Sequence, residues 1–401
     1  MEQTKKSPYW GMFALGASLF LLHGCTASDT EADIGAVIQE ELLHSDPMKV
    51  TICSEEPTTR GDYYTAAGID EYAIYTFWSG RIVQQDVHYT KKEDGSWARN
   101  RNLTYPGTRA INLYALAPGF NHADEFTMAN NVDEKSFVYT LPGDNTVQKD
   151  FMFSSLMDKT RENTNNSANF TFVHAFSYLR MVAKQTLANA TVVVHSITLH
   201  NLKSKGKLTF GETEKSGLWE IYDSPIANYK FVLPEDITLT YNKNLSLHGT
   251  NNMLFVMPQK PELWNPNSEA PANTTTYADN AEHLQSYLEL ECRISTIPEN
   301  EGESPRYIGC TETTWAHVYL PLAANTTWIA NKKNNPFQGS GTYNLVITFN
   351  GGYTADGQDF LKANDATGLE MATDEKIESV VTTEPWGDDE GNYTESNKIT
   401  M

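Results

Sequence analysis

Cys25 is the residue of this sequence best placed for a covalent reaction. It follows Leu21-Leu22-His23-Gly24, and ahead of it lie a basic pair, Lys5 and Lys6, and an apolar run from Trp10 to Leu22. A leucine three residues before a cysteine, with glycine directly before it, is the lipobox pattern. The small residue admits a signal peptidase, and the thiol carries the diacylglyceryl group. The apolar run is shorter than the roughly 20 residues a spanning helix needs, and it has the length of a secretory signal. His23 departs from the pattern, where a small or β-branched residue is usual. Residues 1–24 are thus expected to be a signal peptide, and Cys25 the lipidated first residue of the mature chain. Acyl chains such as palmitate would then hold it on a membrane, each buried CH₂ contributing about 0.8 kcal/mol. The alternative is a cysteine inside a signal peptide that is cleaved elsewhere.

No other residues have the spacing of a reactive centre. Cys53, Cys292 and Cys310 are the remaining thiols, an odd number, so at most one bridge forms. Cys292 and Cys310 could pair across neighbouring strands, or all three are ordinary buried thiols. The ten histidines are scattered, with no His-x-x-x-His pair and no Cys-x-x-Cys beside them, so no zinc site is expected. The sequence has no Gly-x-Ser-x-Gly and no phosphate loop. Gly339-Ser340-Gly341 reads as a loop beside a Pro-Phe turn, and nothing marks any two carboxylates as a glycosidase pair. The expectation is a protein with no catalytic residues, no metal and no cofactor. A net charge of −21 excludes nucleic acid as a partner. It suits a solvated surface that does not adhere to anionic headgroups. Arg60-Gly61-Asp62 matches an integrin-binding tripeptide, a match that arises readily by chance. The Asn-x-Ser/Thr sequons at Asn102, Asn169, Asn244 and Asn325 read as Asn/Thr-rich loops, and His174 reads as a structural strand histidine.

The elements that must carry these residues are mostly strands. The chain has 401 residues, 40% hydrophobic and 11% aromatic, enough for two cored domains. Residues 26–47 are polar and acidic, with a weak apolar pattern from Ile34 to Leu43, and read as a tether with one helical turn at most. Met48, Val50 and Ile52 alternate with polar neighbours, which predicts a half-buried strand over 48–53. Further apolar runs follow at Tyr72–Trp78, Ile111–Ala117, Phe170–Ala183, Thr191–Leu199, Tyr287–Ile294, His317–Leu322 and Tyr343–Phe349, separated by Gly/Pro/Asn/Asp turns. This is an all-β pattern, and it predicts two antiparallel β-sandwich domains in tandem. The expected division is a lipidated tether over 25–47, an N-terminal sandwich over 48–198 and a C-terminal sandwich over 199–401, meeting near 195–206. Phe170, Phe172, Leu179 and Met181 should point into the first core.

The order of these segments resembles the fimbrillin (Mfa-like) family, the subunits of type V fimbriae in Bacteroidales. The motifs are Tyr105-Pro-Gly, Ile111-Asn-Leu-Tyr-Ala-Leu-Ala ending near Pro118, Asp150-Phe-Met-Phe, Phe170-Thr-Phe-Val-His-Ala-Phe, Met257-Pro-Gln and Tyr343-Asn-Leu-Val-Ile-Thr-Phe after Trp328. Asn331–Ser340 is a longer insertion than the family pattern has. The resemblance implies transthyretin-like domains, no catalysis, lipoprotein export and a surface-exposed fimbrium at the cell outer membrane. It implies that an Arg-specific protease removes an N-terminal strand and that a strand from the next subunit fills the groove. Arg60, before Gly61, is the best-placed arginine, since it follows one removable strand. Cleavage there would displace Met48, Val50 and Ile52. Arg81, the next arginine, sits beside the run Ile82-Val83. The donor would come from the C-terminal segment, where Ile377, Val380, Val381, Tyr393, Ile399 and Met401 alternate only patchily. Such a donor suits a tip or terminal subunit, whereas an anchor would keep its strand uncut. The implied partners are other fimbrial subunits, in a homo- or hetero-polymer, the outer membrane through the lipid, and host or bacterial surface ligands for adhesion. The other reading is an outer-membrane surface lipoprotein that binds glycans without forming a pilus, which exposed Trp and Tyr in one groove would favour.

Overall fold

The computed structural model describes residues 31–54, 69–214, 216–247, 254–266, 285–322, 342–367, 369–371 and 380–384. Sheet one has seven strands, in the order β1 (Lys49–Ser54), β9 (Ser167–His174), β8 (Met152–Lys159), β5 (Ile111–Ala117), β2 (Glu71–Trp78), β3 (Arg81–Lys91) and β4 (Trp97–Arg99). Sheet two runs β14 (Gly217–Ile221), β13 (Lys205–Phe210), β7 (Ser136–Thr140), β6 (Glu125–Thr127). Rings meet between these two sheets: Tyr114–Phe210 at 5.2 Å, Phe153–Phe210 at 5.8 Å and Phe137–Phe151 at 5.9 Å.

Sheet three runs β15 (Ile226–Thr238), β12 (Ala190–Lys203), β18 (Tyr287–Thr296), β19 (Ala316–Pro321). Sheet four runs β16 (Leu245–Ser246), β10 (Ser177–Gln185), β20 (Thr342–Phe349), β22 (Val380–Glu384), with β17 (Leu254–Val256) also on β10. A two-stranded ladder joins β11 (Leu187–Ala188) to β21 (Glu370–Met371). Leu288, Leu290, Cys292 and Ile294 of β18 and Val192, Val194, Ile197 and Leu199 of β12 share one core with Leu179, Met181, Leu345 and Ile347. The inward set of β12 changes phase between Val194 and Ile197 because the ladder shifts register between Val194 and Ser196, a bulge that restores the facing. Pairing is antiparallel except for β1 on β9 and β10 on β20, which are parallel.

The chain crosses the division expected between residues 198 and 199. β12 runs unbroken through the expected junction to Lys203, β10 belongs to sheet four, and β13 and β14 return to close the first sandwich. Phe170–Ala183 is therefore not one sandwich's pair of strands. Phe170 and Phe172 are buried in sheet one, while Leu179 and Met181 are buried under sheet four. Sheet one has to be covered, and the local strands β6 and β7 are too few. The sequence reaches past β12 for β13 and β14 to bury Phe137, Phe153 and Phe210. The return is fixed by Trp219, whose indole donates to the Ala175 carbonyl at 2.7 Å.

β2 is apolar on both faces, as Glu71-Tyr-Ala-Ile-Tyr-Thr-Phe-Trp78 requires. Ala73, Tyr75 and Phe77 face sheet two, and Tyr72 and Ile74 enter a second core with Val87, Tyr89, Leu103, Tyr105 and Phe172. That second core has a lid. Residues 31–44 form a 14-residue helix, α1, in place of the expected tether. Ile38 is buried in the second core and Leu42 packs on it. A second short helix, α2 (Phe360–Ala363), is capped by Asp359, whose side chain accepts from the Lys362 amide. Cys292 is buried and Cys310 half-buried, and both are free thiols.

Candidate assembly site

β1 stands at the open edge of sheet one. It pairs with β9 over six positions, from Lys49 opposite Ser167 to Ser54 opposite Phe172. β9 in turn pairs with β8 at His174 and Val173. Met48 is 2% exposed, and Val50 and Ile52 pack against the same core, while Lys49 and Thr51 face solvent. The alternation puts each apolar residue of the expected displaced strand on the buried face.

The segment entering β1 is pinned by backbone and charge. The Met48 amide donates to the Leu103 carbonyl at 2.7 Å and the Lys49 amide to the Asn166 carbonyl at 3.0 Å. Asp46 accepts from Arg161 at 2.6 Å. On α1, Glu41 accepts from Arg109, whose guanidinium lies 5.1 Å from the centroid of the Trp78 ring. The Glu41 carboxylate rests on Gly107 (φ +59°), where an added Cβ would approach its oxygen to 3.2 Å. Gly107 therefore serves both its turn conformation and the seat of the acid. Beside it Tyr105 is fully buried; its hydroxyl pairs with the Thr164 hydroxyl at 2.8 Å and donates to the Ser167 carbonyl at 3.1 Å. Burial raises the phenol's pKa, and the Thr164 contact offsets part of that rise.

Cys25, Arg60 and Gly61 lie outside the described residues, as do Trp328 and the Asn331–Ser340 insertion. Motif residues read from the sequence are brought together, but as struts. Asp150 and His174, from two separate motifs, form a buried pair at 2.7 Å. Gln259 donates to and accepts from the Lys203 backbone at 2.7 and 3.0 Å. The two arginine seats, Arg109 and Arg161, escaped the sequence reading, because neither stands in a recognisable motif. The signal lay in the acids Glu41 and Asp46 preceding an amphipathic strand.

A second concentration of titratable groups lies on the outer face of sheet three. Glu289 accepts from His200 at 2.5 Å and from His317 at 2.6 Å, and His200 stacks on Tyr287 at 4.6 Å. Tyr287, Trp264, Tyr353 and Tyr319 pack beside it as a small aromatic cluster. Burial works to raise the Glu289 pKa, but the hydrogen bonds and charges of the two histidines outweigh it and pull the value down to about 2. Among the described residues no cluster of His, Cys, Asp and Glu is arranged to hold a metal ion. The Glu289 network is a strut across β12, β18 and β19. A carboxylate with a lowered folded pKa contributes stability that is full above its unfolded pKa, near 4.5, and is lost as pH falls toward 2. A shift of this size corresponds to about 3 kcal/mol before screening, so on the order of 1–2 kcal/mol for a partly exposed side chain. Glu289→Gln should therefore be less stable than the parent at pH 7 by that amount. The two urea-unfolding midpoints should converge near pH 2; a constant gap from pH 7 to pH 2 would rule the carboxylate out as the source.

The fold and site define a two-sandwich, all-β protein whose first strand closes an open sheet edge. The chain belongs to the fimbrillin-like family, whose model matches residues 64–386. That family makes it a fimbrial protein, of the kind that builds cell-surface appendages. Among solved structures, a fimbrial protein from Bacteroides vulgatus is 14% identical, with a TM-score of 0.51 over 85% of this chain and 99% of that one. The fimbrial anchor protein Mfa2 from Porphyromonas gingivalis is 10% identical, with a TM-score of 0.31 over 74% of this chain and 88% of that one. No curated protein matches the sequence. Among the described residues no helix is long and apolar enough to cross a membrane.

Proposed function

We propose that this chain is a fimbrial subunit exported as a lipoprotein on Cys25, held at the outer membrane and polymerised by strand exchange once the residues up to Arg60 are removed. Adhesion is then a property of the assembled fimbrium. One observation carries the reading: β1 is an edge strand whose removal takes Met48 from the second core and takes from β9 its six-position ladder along Ser167–Phe172. A strand with that role is a liability while absent, because an open, apolar edge recruits another strand. Large apolar side chains in the vacated seats contribute roughly 1.5–3 kcal/mol each. β1 is followed by residues 55–68, which contain Arg60-Gly61 and join it to Ile69. Cutting there separates α1 and β1 from the body at a point outside the described strands.

The donor needs a segment that the subunit's own sheets do not hold. Val380 and Val381 are paired with Val346 and Leu345 in sheet four, so they serve as donor only by leaving β22. The Arg60→Ala variant, treated with an arginine-specific protease, should keep its full mass and stay out of high-molecular-weight ladders. Shortening by the same mass as the parent would remove Arg60 from the mechanism. Cys25→Ser should lose a metabolically incorporated fatty-acid label, and a labelled variant would remove Cys25 as the anchor.

A further inference from the structure

Residues 297–315 join β18 to β19, a long connection for two neighbouring antiparallel strands. Residues 297–306 and 311–314 are exposed, and the connection is held between them. Tyr307 bridges Ser295 in antiparallel fashion, the Ile308 amide donates to the Ile294 carbonyl at 2.9 Å, and Ile308 is buried. Three residues on from that bridge, back along β18 and forward along the connection, stand Cys292 and Cys310. Ala316 takes the ladder position opposite Cys292, and Gly309, at φ +64°, bends the chain away before it. A side chain at Gly309 would strike Phe360, whose Cζ lies 2.5 Å from the place of a Cβ. Cys310 is thereby set against the core that holds Cys292, and its thiol donates to the Ile294 carbonyl at 3.7 Å. We propose that Cys292 and Cys310 form a modification site, a thiol pair that a disulfide-bearing oxidant converts to an intramolecular disulfide, stapling the connection to β18. This goes beyond the strand-exchange reading, and takes from the export reading only an oxidising environment in which such a bond persists.

The count of thiols supports the pairing. Cys25 is the lipid carrier of the reading above and Cys53 lies on β1, so a chain without its leader keeps Cys292 and Cys310. The two differ in exposure, and so in the part each takes. Cys292 is fully buried and Cys310 half-buried. Burial raises the Cys292 pKa, and the neighbouring Cys310 thiol raises it further. Cys310 is thus the first to react. It gives up its proton to water, and the thiolate attacks one sulfur of the oxidant RS–SR. The S–S bond of the oxidant breaks, RS⁻ leaves with the electron pair and takes up a proton, and Cys310 is held in a mixed disulfide. The Cys310 side chain then has to turn from the Ile294 carbonyl to Cys292. The Cys292 thiol loses its proton as its sulfur attacks the Cys310 Sγ, and the second RS⁻ leaves and is protonated. Two thiols are oxidised to one disulfide, and RS–SR is reduced to two RSH.

The test uses the folded full chain carrying Cys25→Ser and Cys53→Ser, with oxidised glutathione as RS–SR, so it depends neither on export nor on Arg60. After oxidation and unfolding, neither Cys292 nor Cys310 should react with a maleimide. A digest should contain the two cysteine peptides as one species that a reductant separates. Adding Cys292→Ser should stop the reaction at the mixed disulfide, with one glutathione on Cys310. Adding Cys310→Ser instead should leave Cys292 unmodified while the chain is folded. The oxidised protein should melt roughly 4–8 °C above its reduced form, because a closed ring gains less entropy on unfolding, and the Cys310→Ser protein should show no such shift. If the folded chain keeps both thiols while the same chain in urea is oxidised, the sulfurs do not meet in the fold and the inference falls. It falls too if the bond forms between chains, seen as a dimer on a non-reducing gel. Either failure leaves the fimbrial reading standing.

Discussion

Phe153→Ala is expected to lower the stability of the folded chain by about 3–5 kcal/mol, the cost of a fully buried aromatic removed from a packed core. Phe153 has no exposed surface, and its ring meets that of Phe210 at 5.8 Å, edge to face. Phe210 lies on β13, beyond the residues first assigned to that sandwich. The pair therefore tests where the first sandwich closes. In a double-mutant cycle with Phe210→Ala, the coupling should be about 0.5–1.5 kcal/mol, the worth of an aromatic contact beyond its area. Urea unfolding of the four proteins gives the number. A coupling of zero would mean that β13 does not cover sheet one.

The sequence made strands legible wherever side chains alternate or run apolar. Lys49–Ser54, Glu71–Trp78 and Ile111–Ala117 lie within a residue or so of their expected positions, because Val, Ile, Tyr and Phe at period two declare a half-buried pleat. What alternation does not declare is which sheet a strand joins. Phe170–Ala183 reads as two successive strands of one core, but Ala175-Phe176 turns the chain from sheet one to sheet four, and both halves are equally apolar. Partner choice there depends on contacts such as Trp219 with Ala175, some 40 residues away in sequence. The helix over 31–44 was obscured for a different reason. Among its described side chains Ile38 is buried and Leu42 packs on the second core, while Val37 and Leu43 are exposed, so the apolar pattern is weak and resembles a tether. The displaced-strand residues Met48, Val50 and Ile52 were legible from their alternation. Arg109 and Arg161 were not, since an arginine's role as a seat depends on a carboxylate brought in from across the fold.

Met48→Asp is expected to free the leader from the body without any cut. A carboxylate at a position 2% exposed must either be buried among Leu103, Tyr105 and Phe172, at a cost of several kcal/mol, or leave. Leaving carries its own cost, which is the β1 ladder, the Ile38 and Leu42 contacts and two ion pairs. Those pairs are partly exposed, so each contributes only about 0–1 kcal/mol. Among the described strands β1 pairs with β9 alone, so detachment is the cheaper route and caps the damage to the rest of the fold. Hydrogen exchange should therefore rise together at the amides of residues 48–54 and of Ser167–Phe172, the two sides of one ladder, while β12 and β18 keep their protection. The freed edge of β9 should then accept a strand, and the uncut variant should form concentration-dependent oligomers that the parent does not. If protection falls evenly across all four sheets instead, α1 and β1 are an integral part of the first sandwich, and their removal would unfold the subunit before a second copy could replace them.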